Sequence, residues 1–158
     1  MTDRIYCMDT SALIDGLERY YPVSLFPGLW DKIDELVKAG RIILSEEVWE
    51  EGRKHDAALK DWCDGHGKDA LVVATDAKIA AEVQGLLAKF PKMVADMKGR
   101  NRADPFVIAV AKHRGAVVVT GEGADGNANR PKIPYVCGEI SVECYRFIDI
   151  IRDEGWAF

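Results

Sequence analysis

Four acidic residues of this chain stand where the edge of a sheet would bring carboxylates together. Asp9 directly follows a short apolar run, residues 5–8, and precedes a helix-starting sequence. Glu51, Asp104 and Glu122 lie in comparable settings beside predicted strand ends or helix starts. In an open parallel sheet, ligands bind outside the carboxyl ends of the strands, so acids at that edge point into a crevice. Clustered carboxylates repel one another unless protons or cations neutralise them, which predicts a site for a divalent cation.

Two of these acids also have a simpler structural interpretation. Asp9 at a strand-to-helix junction can cap the following helix. Asp104 is followed by Pro105, and this pair is typical of an N-cap with proline at the first helical position. On the next predicted helix, Glu47 and Glu51 are four residues apart and share a face, so either can be the inward-pointing acid.

Alternating strand and helix signals predict how these residues are positioned. Short apolar runs predict strands, and apolar residues at helical spacing or capping residues predict helices between them. The predicted strands are 4–8, 41–44, 116–119 and 133–136. The predicted helices are 11–20, 27–39, 77–90 and three that begin at Ser45, Asp104 and Ser141. This alternation predicts an α/β fold with a mostly parallel sheet.

Composition limits the possible classes of protein. With 158 residues, 48% of them hydrophobic, the chain fits a single domain spanning 1–158. No apolar stretch approaches the roughly 20 residues of a membrane-spanning helix, and too few apolar residues precede Asp9 for a signal peptide, so we expect a cytoplasmic protein. The net charge of −5 does not exclude RNA, because local basic patches can still attract phosphates.

Several segments together resemble a known family. Residues 8–14, Met-Asp-Thr-Ser-Ala-Leu-Ile, resemble the opening signature of PIN domains. Residues 45–52 are similar to the second segment of that family, in which an apolar residue precedes an acid by three positions, here Val48 and Glu51. Residues 103–111 resemble its acid-led helix, and a strand ending in Thr120 follows at the expected distance. PIN domains are nucleases that include the VapC-like toxins of toxin–antitoxin pairs as well as related stand-alone proteins.

The resemblance implies a three-layer PIN-like fold, with a twisted sheet between helices on both faces, and a metal-dependent ribonuclease activity. It implies Mg²⁺ or Mn²⁺ as cofactor. The implied catalytic residues and metal ligands are Asp9, Glu51, Asp104 and Glu122. Because the family commonly has its last acid just beyond the threonine, Asp125 is the second candidate after Glu122.

The resemblance also implies partners. The implied substrate is single-stranded RNA, and an antitoxin protein and a homodimer are compatible with the toxin members. Candidate substrate-contacting residues are three hydroxyls and a basic cluster before the third acid: Thr10, Ser11, Thr120, Lys98, Arg100 and Arg102. The alternative function is a non-catalytic PIN-like module that binds RNA or protein. A phosphatase with Asp9 as nucleophile is less well supported, because the residue two positions later is Ser11 rather than a second acid.

Two formal motifs lack the context that their chemistry requires. Residues 121–126 fit a dinucleotide fingerprint, but a loop sequence follows instead of a helix that could bind a pyrophosphate. Cys63 and His66 could form half of a zinc site, yet no second pair with suitable spacing follows. We therefore predict neither a dinucleotide nor zinc as cofactor.

Overall fold

A computed structural model of the protein describes residues 3–55, 57–93 and 102–158. The strands are β1 Tyr6–Met8, β2 Ile42–Ser45, β3 Val72–Val73, β4 Val117–Val119 and β5 Cys144–Tyr145. The described helices are α1 Thr10–Ile14, a π-helical segment Asp15–Tyr20, α2 Pro27–Lys38, α3 Glu46–Lys54, α4 Ala57–His66, α5 Lys68–Leu71, α6 Ala77–Lys89, α7 Asp104–Arg114, α8 Ile133–Glu139 and α9 Phe147–Glu154. Within these ranges, no helix offers the long apolar run that crossing a bilayer requires.

The five strands form one parallel sheet in the order β3-β2-β1-β4-β5. Cys7 of β1 lies opposite Ile43 of β2 on one side and Val118 of β4 on the other. The order of the strands reverses at β1, because the chain first proceeds to β2 and β3 and then returns to β4. In α/β sheets the crevice at such a switch point is the usual ligand site, and Asp9 and Thr120 follow the two strands that flank it.

Helices cover both faces of the sheet, as predicted. Successive side chains of a strand point to opposite faces. Cys7 points to one face, where its thiol lies 3.6 Å from the carbonyl oxygen of Val107 in α7. Tyr6 points to the other face, where its hydroxyl lies 2.6 Å from carboxylate oxygens of Asp153 and Glu154 in α9. The helix α7 packs against β1, β2 and β4, and its residues 107–111 are fully buried.

The early elements closely follow their sequence signals. Ser45 ends β2 and caps α3, because its hydroxyl accepts a hydrogen bond of 3.2 Å from the backbone N–H of Val48. Gly40 follows α2 with a positive φ of 72°, a conformation that glycine adopts without steric cost. These two junctions fix where the chain leaves α2 and enters α3, and so fix the position of Glu51.

The prediction for the carboxyl-terminal region was wrong in two respects. Residues 133–136 were predicted as a strand but begin the helix α8, in which Pro134 occupies the first turn. Ser141 was predicted to cap the last helix but lies in a turn with a φ of 60°. The last strand is instead β5, which pairs with β4, and the last helix begins after Arg146. Pairing with β4 imposes an extended backbone on a segment whose apolar spacing also suits a helix.

Candidate metal centre

Asp9 lies at the centre of the crevice and is 5% exposed. Its backbone N–H donates to the carbonyl of Val119 in β4, and its Oδ1 accepts from the N–H of Thr10. Its Oδ2 accepts hydrogen bonds from the hydroxyls of Ser11, at 2.6 Å, and Thr120, at 3.0 Å. Burial raises the pKa of Asp9, and these hydrogen bonds act in the opposite direction because they stabilise the charged form. Asp9 thus caps α1 and also presents its carboxylate to the crevice.

Asp104 does not cap α7, contrary to the capping interpretation. The N-cap is Ala103, which makes no side-chain capping bond, and Asp104 is the first residue of the helix. Asp104 is 5% exposed, and its side chain lies beside the carboxylates of Asp9 and Glu122. Burial, followed by the charges of these two neighbours, raises the pKa of Asp104. Helix capping therefore does not explain why an acid is buried at position 104.

Glu122 is the acid that the loop after β4 brings into the crevice. Its backbone N–H donates to the hydroxyl of Thr120, and its Oε1 accepts from the N–H of Ile133 at the start of α8. Burial, followed by the charge of Asp9, raises its pKa. Asp125 lies elsewhere: its side chain is 71% exposed and forms an ion pair of 2.8 Å with Lys132.

Three of the four predicted acids converge on one point. Asp9, Asp104 and Glu122 each offer a carboxylate oxygen, and these oxygens lie within 4.8 Å of one another. At an effective dielectric constant near 20, two unit charges at that distance repel by about 3.5 kcal/mol. Burial of such a group is costly unless a proton or a cation reduces its charge.

Glu51 lies at the side of this cluster rather than within it. Its Oε2 accepts a hydrogen bond of 3.1 Å from the hydroxyl of Thr10. Together with the three clustered acids it lines a cavity of about 630 Å³. Glu47 lines a separate, smaller cavity beside Arg102. Burial raises the pKa of both glutamates, but Glu51 is the one that faces the acidic cluster.

The predicted substrate-contacting residues fall into two groups. The hydroxyls of Thr10, Ser11 and Thr120 all donate to carboxylates, and Ser11 Oγ also accepts from the N–H of Gly121. In this structure they position acids. Of the basic cluster, Lys98 and Arg100 lie outside the described residues. Arg102 is exposed, and its positive charge acts to lower the pKa of Glu51.

Sequence reasoning missed several residues around the crevice. Lys54 and His55, at the end of α3, line the same cavity as Glu51. The signal was available, because positions three and four after an acid on a helix share its face. Asp15 is also buried, and one of its carboxylate oxygens lies against Gly121, where a Cβ atom would collide with it. This close approach explains the first glycine of the formal dinucleotide motif, whose loop leads to a turn at 127–130 before α8.

The donor set fits a small, hard divalent cation. All the converging atoms are carboxylate oxygens, which Mg²⁺ and Mn²⁺ prefer to sulfur or imidazole ligands. The two buried aspartates and the half-buried Glu122 have raised pKa values, so their charged forms lack sufficient compensation from the protein alone. A bound cation would supply it.

Comparisons with known proteins agree with this architecture. The crystal structure of DNA-bound VapBC from Salmonella typhimurium is similar in fold, with a TM-score of 0.54 and 16% sequence identity over 91% of this chain and 98% of that chain. The sheet and its surrounding helices form a PIN-like fold. A search of curated proteins found no match to this sequence. The model of a family described as a domain of unknown function, DUF4411, matches residues 6–158. The chain therefore belongs to the DUF4411 family.

Proposed function

We propose that this protein is an endoribonuclease that depends on Mg²⁺ or Mn²⁺ and hydrolyses phosphodiester bonds of RNA. The observation that carries the proposal is the convergence of Asp9, Asp104 and Glu122 at the switch point of a PIN-like sheet. Clustered acids alone also occur on ordinary protein surfaces. Here two of the three are buried and no capping role accounts for Asp104, which favours a catalytic site.

The residues of the crevice have distinct proposed roles. Asp9, Asp104 and Glu122 would hold the ion, and Glu51 would contribute from the side, directly or through water. A divalent ion held there would supply Lewis-acid chemistry, namely activation of water for attack on phosphorus and stabilisation of charge on the phosphoryl oxygens. The hydroxyls of Ser11 and Thr120 keep the Asp9 carboxylate in one orientation.

The side of the cavity near α3 provides positive charge for the substrate. Lys54 lines the cavity, and Arg102 lines a smaller cavity that Lys54 and Glu51 share. These two side chains would attract a phosphate backbone toward an otherwise acidic centre. Single-stranded RNA fits this role, because an unpaired strand can bring one phosphate into a narrow crevice.

We further propose that the protein is the toxin of a toxin–antitoxin pair. Support comes from the resemblance of its motifs to PIN domains and from its structural similarity to VapBC, which was crystallised bound to DNA. A small protein encoded directly beside this chain should then bind it and inhibit RNA cleavage. Absence of inhibition by such a neighbour would favour a stand-alone RNA-processing nuclease.

Asp9→Asn tests the catalytic proposal, with Asp76→Asn as its matched control. Both aspartates are N-caps that accept a backbone N–H, and asparagine preserves capping at both positions. We expect Asp9→Asn to reduce Mn²⁺-dependent cleavage of single-stranded RNA at least about 100-fold, as even supporting residues of metal sites can contribute this much. Asp76→Asn should retain activity, since Asp76 precedes α6 and is not among the converging carboxylates.

Binding measurements separate cleavage from the alternative function. If wild-type protein binds fluorescent single-stranded RNA but cleaves none with Mg²⁺ or Mn²⁺, the non-catalytic module is the correct interpretation. If Asp9→Asn cleaves as fast as wild type, Asp9 serves as a cap and the proposed centre is wrong.

A further inference from the structure

A second, smaller cavity adjoins the acidic cluster on the side away from α3. Its volume is about 230 Å³, and Glu122 lines both this cavity and the large one. Pro134, Cys144 and Arg146 form part of its wall, as does Thr120, whose hydroxyl donates to Asp9 in the cluster. Pockets for drug-sized ligands typically hold roughly 300–1,000 Å³, so this cavity suits one smaller group, such as a nucleotide fragment.

Arg146 is placed to present a positive charge at this cavity. It directly follows β5, so it stands at the same edge of the sheet as Asp9 and Thr120. Its side chain is exposed, and within the described ranges it makes no ion pair with a carboxylate. Asp149 also lines this cavity, but its carboxylate is already engaged, because it accepts from the backbone N–H of Arg146 and from the guanidinium of Arg152.

Positive side chains therefore flank the acidic cluster on opposite sides. Lys54 is the last residue of α3, the helix that follows β2, whereas Arg146 directly follows β5. Because β1 and β4 lie between β2 and β5 in the sheet, three inter-strand steps separate β2 from β5. At about 4.8 Å per step, the strands themselves lie roughly 14 Å apart. A single strand of RNA laid across this edge would pass over Asp9 and Glu122 with phosphates near both cations.

We propose that the small cavity is a subsite for the nucleotide next to the scissile phosphate, with Arg146 as the residue that positions the adjoining phosphate. This inference rests on the proposed nuclease function and specifies the path of its substrate. Along this path the substrate would first meet the α3 side chains, then the acidic cluster at the centre, and then Arg146 on the other side. Arg146 does not touch the reacting oxygens in this arrangement and is a positioning residue.

Arg146→Ala tests the subsite, with Arg114→Ala as control. Both changes remove one exposed positive charge, but Arg114 ends α7 at the opposite edge of the sheet from Asp104. The substitution at 146 keeps the start of α9, because the capping bond to Asp149 uses the backbone N–H of residue 146. Circular dichroism and thermal melting check that both variants are folded.

We expect Arg146→Ala to weaken binding of single-stranded RNA about five- to tenfold, which lies within the range for one typical hydrogen bond. The slope of log Kd against log salt concentration should fall by about 0.7, the value for one phosphate contact on a single strand. In cleavage assays KM should rise while kcat changes less than about twofold, since the contact to the adjoining phosphate is lost equally from the ground state and the transition state. Arg146→Lys should recover most of the affinity.

A modified substrate locates the contact. When a neutral methylphosphonate replaces the phosphate next to the scissile bond, wild type should bind as weakly as Arg146→Ala, and the substitution should then have no further effect. Affinity and salt dependence of Arg146→Ala equal to those of Arg114→Ala would overturn the subsite. Wild-type protein that binds RNA without cleaving it would refute the nuclease function, while these Kd values would still decide the role of Arg146. Wild-type protein that binds no RNA would refute both proposals.

Discussion

Removal of one buried carboxylate should stabilise the metal-free protein. Asp104 lies within 4.8 Å of carboxylate oxygens of Asp9 and Glu122, and burial followed by these charges raises its pKa. One such pair repels by about 3.5 kcal/mol at an effective dielectric constant near 20. Because a proton taken up by the cluster relieves part of this repulsion, we expect Asp104→Asn to increase the free energy of unfolding in chelator by about 1–3 kcal/mol near pH 8.

The sign of the pH dependence follows from the raised pKa values. The folded cluster holds protons more tightly than the unfolded chain, whose carboxyl pKa values are about 4. Stability contributed by these protons is present at low pH and is lost as pH rises through the folded pKa values. In chelator, the unfolding free energy of wild type should therefore fall as pH rises from about 4, the unfolded carboxyl value, through the raised folded pKa values, and that of Asp104→Asn should fall less.

Denaturant unfolding with and without Mn²⁺ measures both effects. Mn²⁺ should stabilise the wild type, because a ligand that binds only the folded state shifts the equilibrium toward it. Asp104→Asn lacks one proposed ligand and should gain little stability. Asp125→Asn is the control, because that carboxylate is exposed and its hydrogen bond with Lys132 lowers its pKa. It should not be stabilised in chelator. If Asp104→Asn is less stable than wild type in chelator at pH 8, Asp104 makes a net favourable structural interaction. The prediction that carboxylate repulsion destabilises the metal-free protein is then wrong.

Two further predictions concern the loop after β4. Gly121→Ala should destabilise the protein by about 1–3 kcal/mol and reduce cleavage, because the new Cβ would collide with Asp15 and lie 3.2 Å from the carbonyl oxygen of Ser11. The control Gly85→Ala lies exposed within α6 with nothing within 4 Å and should be neutral or slightly stabilising in thermal melts. Glu122→Gln should reduce Mn²⁺-dependent cleavage more than Asp125→Asn across a manganese titration, and the reverse order would transfer the role to Asp125.

The sheet and part of the crevice could be predicted because their signals are local. Both central strands come from short apolar runs. The run before Asp9 is followed by a capping residue, and the run before Thr120 consists mainly of the β-branched residue valine. Such runs are typical of the central strands of a parallel sheet, which are buried on both faces. The capping role of Ser45 is equally local. Serine is a preferred N-cap residue, and the acids Glu46 and Glu47 that follow it are typical of the first turn of a helix.

The carboxyl-terminal region could not be predicted because its structure depends on distant partners. Cys144 and Tyr145 are extended since they pair with Val118 and Val119, and nothing in their own sequence specifies that pairing. Conversely, the segment beginning at Ile133 is apolar like a strand but has no strand neighbour. Its first N–H is instead used by Glu122, a contact that sequence spacing does not reveal.

Capping and metal binding are compatible roles for Asp9, although they look like alternatives in the sequence. An ionised carboxylate has about four acceptor sites, two on each oxygen. Oδ2 accepts from Ser11 and Thr120, which uses both of its sites, and Oδ1 accepts from the N–H of Thr10, which uses one. These hydrogen bonds leave acceptor capacity on the carboxylate, so capping does not prevent Asp9 from offering an oxygen to a cation. The same hydrogen bonds that cap α1 and join β1 to β4 therefore also hold the carboxylate of Asp9 beside the other two acids.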